Sequence, residues 1–245
     1  MRVSIVPCVL AAILLFGFVA PSNAKDAVSF KAADGVTVHG DYYAGRDADD
    51  PLILAFHQAS SGRAEYNDIA PLLVDQGFAV LAIDQRSGGT YNGQENETAK
   101  GAAGTYWVHA DALPDLEAAL LWARQKPPAG KILVWGSSYS AALAIVLAGE
   151  HPEISGILSF SPAEYFDGKP SVREAAARVR VPVFITSSNR EAPATRQIFE
   201  ATASADKTQF VPDGAGFHGS RTLLPKTKAT EEYWKAIDAF LAKFR

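Results

Sequence analysis

Five consecutive residues, Gly136-Ser137-Ser138-Tyr139-Ser140, carry the strongest chemical signal in the chain. An apolar run, Ile132 to Trp135, leads straight into them, and a small-residue stretch of helical character follows as far as His151-Pro152. A tight strand-to-helix turn of this kind lifts its middle serine above the sheet edge. Gly136 is needed because a bulky side chain there would clash with the adjoining strand and helix. The backbone at Ser138 is expected to be strained, which proteins tolerate where function demands it. The motif commonly ends in glycine; here Ser140 takes that place and is small enough to fit. The purely structural reading is a serine that caps a helix after a strand.

A serine hydroxyl attacks poorly until a base removes its proton. The chain has five histidines: His39, His57, His109, His151 and His218. Only His218 follows the last strand, inside the Gly-rich segment Val211-Pro-Asp-Gly-Ala-Gly-Phe-His218-Gly-Ser, which can carry an imidazole over the sheet edge. His39 reads as structural, His57 as a brace for its own loop, and His109 and His151 as surface or capping residues.

The base needs a carboxylate to orient it, and the chain order expected after such a turn is Ser, then Asp or Glu, then His. Glu191 sits just past the carboxyl end of the run Val181 to Thr186 and is the first choice. Its structural reading is an acid at the start of a helix beginning near Pro193, where the dipole favours it. Asp213 and Asp167 are the competing carboxylates. A tetrahedral intermediate also requires two backbone N–H donors. Tyr139, directly after the serine, supplies one. The second comes from His57-Gln58-Ala59-Ser60-Ser61-Gly62, with Ala59 preferred and Gln58 second.

The elements that must place these groups alternate along the chain. Val28 to Phe30 and Val36 to Val38 flank Asp34-Gly35 and read as a β-hairpin. Continuous apolar runs then recur at Leu52 to Phe56, Phe78 to Ile83, Ile132 to Trp135, Gly156 to Phe160, Val181 to Thr186 and Gln209 to Val211. Such runs suit parallel strands covered on both faces. Helical spacing appears between them in Leu113, Leu116 and Leu120, and near the end in Trp234, Ile237 and Leu241. Strands interleaved with helices imply a mostly parallel sheet with helices on both sides. The Gly-, Asn- and Thr-rich segment Gln85 to Trp107 reads as a long loop at the ligand-binding edge of that sheet, or as a solvated surface loop.

Composition bounds the partners. Residues 1–24 read as a signal peptide: Arg2, an apolar run from Val3 to Ala20, then Ser22-Asn23-Ala24 with small-x-small spacing. A membrane anchor is the competing reading, which Pro21 to Ala24 disfavours. Residues 25–245 then form a single exported domain, secreted or periplasmic, with no membrane contact after cleavage. The one cysteine, Cys8, lies inside the signal, so disulfides, CxxC pairs and thiolate metal sites are excluded from the remainder. The formal net charge is −4 with no basic stripe, which argues against nucleic-acid partners.

The ordered set His57-Gln58-Ala59, Ile83-Asp84-Gln85-Arg86-Ser87-Gly88-Gly89, Gly136-Ser-Ser138-Tyr-Ser140, Glu191 and Gly216-Phe-His218-Gly219 resembles the α/β-hydrolase superfamily. Within it, the chain looks most like small dienelactone-hydrolase-like serine hydrolases, over roughly Ala27 to Phe244. The resemblance implies an α/β-hydrolase fold with an eight-stranded sheet, no cofactor and an acyl-enzyme route. Dienelactone hydrolases proper use a cysteine nucleophile, which argues against lactone substrates here, and Glu191 stands where many relatives have Asp.

Lids in this fold usually interrupt the stretch after the sixth strand. Ser161 to Arg180 has room for little more than a short helix near Val172 to Val179, so no large lid domain is expected. An open pocket for small carboxylic esters follows, with Tyr106, Trp107, Tyr165 and Phe217 as candidate lining and Tyr139 and Phe166 beside them. Rival readings are a peptidase or acyltransferase with the same triad, and an inactive binding protein on the hydrolase scaffold.

Overall fold

Alternation along the central strands sets the architecture. In the run Leu52–Phe56, Leu54 and Phe56 face one core while Ile53 and Ala55 face another, so both sides of the strand are buried. The computed structural model describes residues 24–103, 108–126, 130–167, 169–224 and 229–245. Eight strands form one sheet: β1 (Asp26–Lys31), β2 (Thr37–Tyr43), β3 (Leu52–Phe56), β4 (Ala79–Ile83), β5 (Ile132–Ser137), β6 (Gly156–Phe160), β7 (Val183–Thr186) and β8 (Lys207–Phe210). Their order is β1-β2-β4-β3-β5-β6-β7-β8, with β1 and β2 antiparallel to their neighbours and every other pairing parallel.

The helices are α1 (Ala70–Asp75), α2 (Glu97–Gly101), α3 (Leu113–Arg124), α4 (Tyr139–Glu150), α5 (Val172–Ala176), α6 (Ala192–Ala201) and α7 (Thr230–Leu241). Leu116 and Leu120 of α3, Leu143 and Leu147 of α4 and Ile198 of α6 pack on one face of the sheet. Leu73 of α1 and Tyr233, Ile237 and Leu241 of α7 pack on the other. Trp135 is fully buried beneath the strand end, stacked on Phe160 with ring centroids 4.6 Å apart. Such offset aromatic pairs hold their geometry as well as burying area. The expected eight-stranded α/β-hydrolase architecture is therefore present.

Several boundaries differ from expectation: β2 runs Thr37–Tyr43 rather than Val36 to Val38, and β7 starts at Val183 rather than Val181. β8 lies at Lys207–Phe210 rather than Gln209 to Val211. It is an edge strand, half-buried, so its residues need not form an apolar run. The helix expected from Val172 to Val179 stops at Ala176. The segment Gln85 to Trp107 is not all loop: α2 lies within it, capped by the Asn96 side chain accepting from the Ala99 amide at 2.8 Å. The signal peptide expected over residues 1–24 lies outside the described residues, apart from Ala24, and so do Tyr106 and Trp107. Among the described residues, no helix is long and apolar enough to cross a membrane.

Candidate active site

The turn between β5 and α4 holds Ser138 at φ 61° and ψ −123°. That backbone region suits glycine, and holding another residue there costs of order 1–3 kcal/mol. Surrounding bonds enforce it: the Ser138 amide donates to Phe160 O at 2.8 Å and the Ser138 carbonyl accepts from Ala141 N at 2.9 Å. A Cβ on Gly136 would overlap the Ser140 carbonyl and the Ala141 backbone, which explains the glycine that opens the motif. Ser140, in the place where glycine is usual, donates from Oγ to His57 O at 2.5 Å and ties the turn to the end of β3. Because Ser138→Gly and Ser138→Ala remove the same hydroxyl, they isolate the backbone effect. The glycine variant is expected to unfold at higher temperature, by about 1 kcal/mol in stability, as read by calorimetry.

Three loops converge on the Ser138 hydroxyl. His218 Nε2 lies 2.7 Å from Ser138 Oγ. On the far side of the ring, His218 Nδ1 is hydrogen-bonded to Glu191 Oε1. The other carboxylate oxygen, Oε2, accepts from Ser188 Oγ at 2.7 Å, Ser161 Oγ at 2.9 Å and Ser188 N at 3.2 Å. Burial raises the Glu191 acid, but the bonds from His218, Ser188 and Ser161 outweigh it and hold the group down at about 2. Glu191 is therefore a carboxylate near neutral pH. Asp213 and Asp167, the competing acids, are exposed, and no bond links either to His218.

The His218 loop is anchored from below. Trp135 Nε1 donates to Ser220 Oγ at 2.9 Å, and Ser220 N donates to Ser137 Oγ at 2.9 Å. Gly219 N donates to Ser161 Oγ at 3.0 Å, so Ser161 holds both the carboxylate and the chain beside the imidazole. Ser161 and Ser188 were not singled out from the sequence. Their only signal is position, each a small polar residue just past the carboxyl end of a strand.

The oxyanion candidates separate. Tyr139 N opens α4, where a helix leaves its first amides without internal acceptors. Gln58 is corrected: its N–H donates to Glu65 Oε2 at 3.0 Å, pointing into the protein rather than toward Ser138. Ala59 remains the candidate donor from that loop. His57 is fully buried, which lowers its pKa. Its Nδ1 faces Gln58 O at 2.7 Å and its Nε2 accepts from Gln85 N at 2.9 Å. Both nitrogens are thus committed and the ring is a neutral brace, not a base. The loop after β4 seats on this brace so closely that a Cβ on Gly88 would overlap Asn96 and Ser61 O.

A cavity of about 250 Å³ opens beside the turn, lined by Val108, His109, Ala110, Tyr165, Phe166, Asp167 and Lys169. Tyr165 OH donates to Ser161 O at 2.9 Å. Burial raises the Tyr165 phenol, and the neighbouring Ser138 hydroxyl pulls it back. His109 is corrected from a surface or capping residue: it is half-buried and stacks on Tyr139 with centroids 4.4 Å apart. Tyr139 itself is buried, its hydroxyl bonded to Gln85 and Ser87 at 2.8 and 2.9 Å, so its ring serves the framework. Phe217 is about half exposed and does not line this cavity. Among the described residues, no group of three His, Cys, Asp or Glu side chains could hold a metal ion.

The chain is similar to proteins named as hydrolases. The curated thiohydrolase apmlB of Arthrinium phaeospermum is 24% identical over 176 residues, 66% of this chain and 55% of that protein. The chain thus spans little more than half the length of the curated relative it matches. The solved esterase Pf2001 of Pyrococcus furiosus superposes with a TM-score of 0.71 at 21% identity, over 90% of this chain and 93% of that one. A dienelactone hydrolase from Anabaena variabilis superposes at 0.69 with 18% identity, over 90% and 98% of the two chains. At these identities the likeness is one of fold. The sequence model described as serine aminopeptidase, S33, matches residues 48–191, which include Ser138 and reach Glu191. The chain belongs to the serine aminopeptidase S33 family and has the α/β-hydrolase fold.

Proposed function

We propose that this chain cleaves small carboxylic esters through an acyl-enzyme intermediate on Ser138. The observation that carries the reading is the unbroken chain of bonds from Ser138 Oγ through His218 to Glu191. His218 Nε2 takes the hydroxyl proton as Ser138 attacks the carbonyl carbon. The Ala59 and Tyr139 amides receive the developing oxyanion. The same nitrogen then protonates the departing alcohol, and a water deprotonated by His218 releases the acid. Glu191 keeps the imidazole in the tautomer that presents a bare Nε2 to the serine. The experiment is labelling by a fluorophosphonate probe. The wild type labels and Ser138→Ala does not; a folded, unlabelled wild type favours a binding protein on the same scaffold.

The short α5 and the small cavity lined by Tyr165 and Phe166 support short acyl groups. With p-nitrophenyl esters of rising chain length, kcat/KM is expected to peak at short acyl chains. A maximum at long chains sinks the open-pocket reading. Thioesters are the second substrate class, favoured by the similarity to the thiohydrolase of Arthrinium phaeospermum. Paired assays on an ester and a thioester of the same acid rank the two. The proposal includes export, since residues 1–24 carry the features of a signal peptide ahead of a domain over 25–245. An N-terminus at Lys25 in protein recovered outside the cytoplasm is the expected result.

A further inference from the structure

Behind the oxyanion loop lies a titratable group that the proposed chemistry does not use. Glu65 sits on a 3-10 turn, Arg63–Tyr66, and is 3% exposed. A carboxyl removed from water this completely is costly unless its oxygens are bonded. Its Oε2 accepts the Gln58 amide at 3.0 Å. Its Oε1 is buried without a hydrogen-bond partner. Burial raises its pKa, and the Gln58 amide, the nearby Ser137 and Ser61 hydroxyls and the charge of Arg221 counter that rise. Ser137 is the residue before Ser138, and its Oγ accepts the Ser220 amide at 2.9 Å, two residues past His218. One buried carboxyl therefore stands among the segment carrying Ala59, the residue preceding Ser138 and, through Ser137, the turn following His218.

Resting on the serine-hydrolase reading, we propose that Glu65 is a positioning residue: by holding the Gln58 N–H inward, it turns the next amide, Ala59 N–H, toward the oxyanion. Ala59 and Ser60 form a turn directly after Gln58, with Ser60 at φ 56°. With Gln58 N–H fixed inward on Glu65 and Gln58 O held by His57 Nδ1 at 2.7 Å, the direction of the Ala59 N–H is set. Without the acceptor, the peptide carrying Ala59 N–H is held by the His57 Nδ1 contact on Gln58 O alone, and the loss falls on the transition state rather than on substrate binding.

Two substitutions and one measurement on the unaltered chain test this. Glu65→Met removes the acceptor, and with p-nitrophenyl acetate its kcat is expected to fall about 100-fold while KM stays within about twofold. Phosphonylation of Ser138 by the fluorophosphonate should slow by a similar factor, which lost substrate affinity alone does not produce. Glu65→Gln keeps a carbonyl oxygen for Gln58 and is expected to retain kcat within about fivefold. Hydrogen exchange in the wild type should show a strongly protected Gln58 amide.

A folded Glu65→Met protein with kcat within about threefold of wild type overturns the proposal. So does a folded Glu65→Gln protein with a loss of about 100-fold, or a Gln58 amide exchanging as fast as an open loop. If the methionine variant does not fold, the glutamine variant and the exchange rate decide. A wild type inert to both ester and probe sinks the hydrolase reading instead, whatever the Gln58 amide does.

Discussion

Alanine at position 138 is expected to lower ester turnover by about 10⁵- to 10⁶-fold, with the fold intact. The size follows from what the residue does in the proposed cycle. With Oγ gone, His218 has no hydroxyl to deprotonate, and no acyl-enzyme forms. What survives is acceleration from the amides of Ala59 and Tyr139 and from holding the substrate, on the order of 10³- to 10⁴-fold over water. Ser138→Ala leaves the Phe160 and Ala141 backbone bonds of the turn in place, so circular dichroism and thermal unfolding should match the wild type closely. A variant with more than about a hundredth of wild-type kcat/KM would remove Ser138 from the chemistry.

Glutamine in place of Glu191 is the second large effect, a loss of about 10⁴-fold in kcat with KM little changed. The carboxylate accepts from every partner it has: His218, Ser161 and Ser188. An amide can turn its NH₂ toward His218 Nδ1, which moves the ring proton to the wrong nitrogen and leaves nothing to accept the Ser138 proton. Stability should respond to pH in a defined sense as well. The folded acid sits at about 2, below its ordinary value of 4.5. Its ionised form therefore stabilises the fold fully above pH 4.5, and that contribution is lost as the pH falls through about 2. Glu191→Gln lacks this term, so its acid unfolding curve should be shallower across that window. Guanidinium titrations at several pH values measure the difference.

Apolar runs made most of the sheet legible. Leu52–Phe56 and Gly156–Phe160 match their expected bounds because central parallel strands are buried on both faces and admit no polar residue. β8 was displaced because an edge strand has a solvent side, and Lys207 and Thr208 belong to it. Ser138, Glu191 and His218 were legible through motif, strand ends and chain order. The supporting layer was not. Nothing local marks Ser161 as the residue that holds Glu191 and Gly219 together, since that role arises only when β6 and β7 lie side by side. His109 misled for the same reason: its stacking on Tyr139 comes from packing across thirty residues of chain, not from its neighbours.

Heat tolerance and reactivity pull on the same torsion at position 138. A library sorted only by survival at high temperature would drift toward glycine there, because glycine relaxes the left-handed turn and keeps every backbone bond around it. Its winners would be robust and inert. Directed evolution of this scaffold therefore has to reward turnover in the same round as durability.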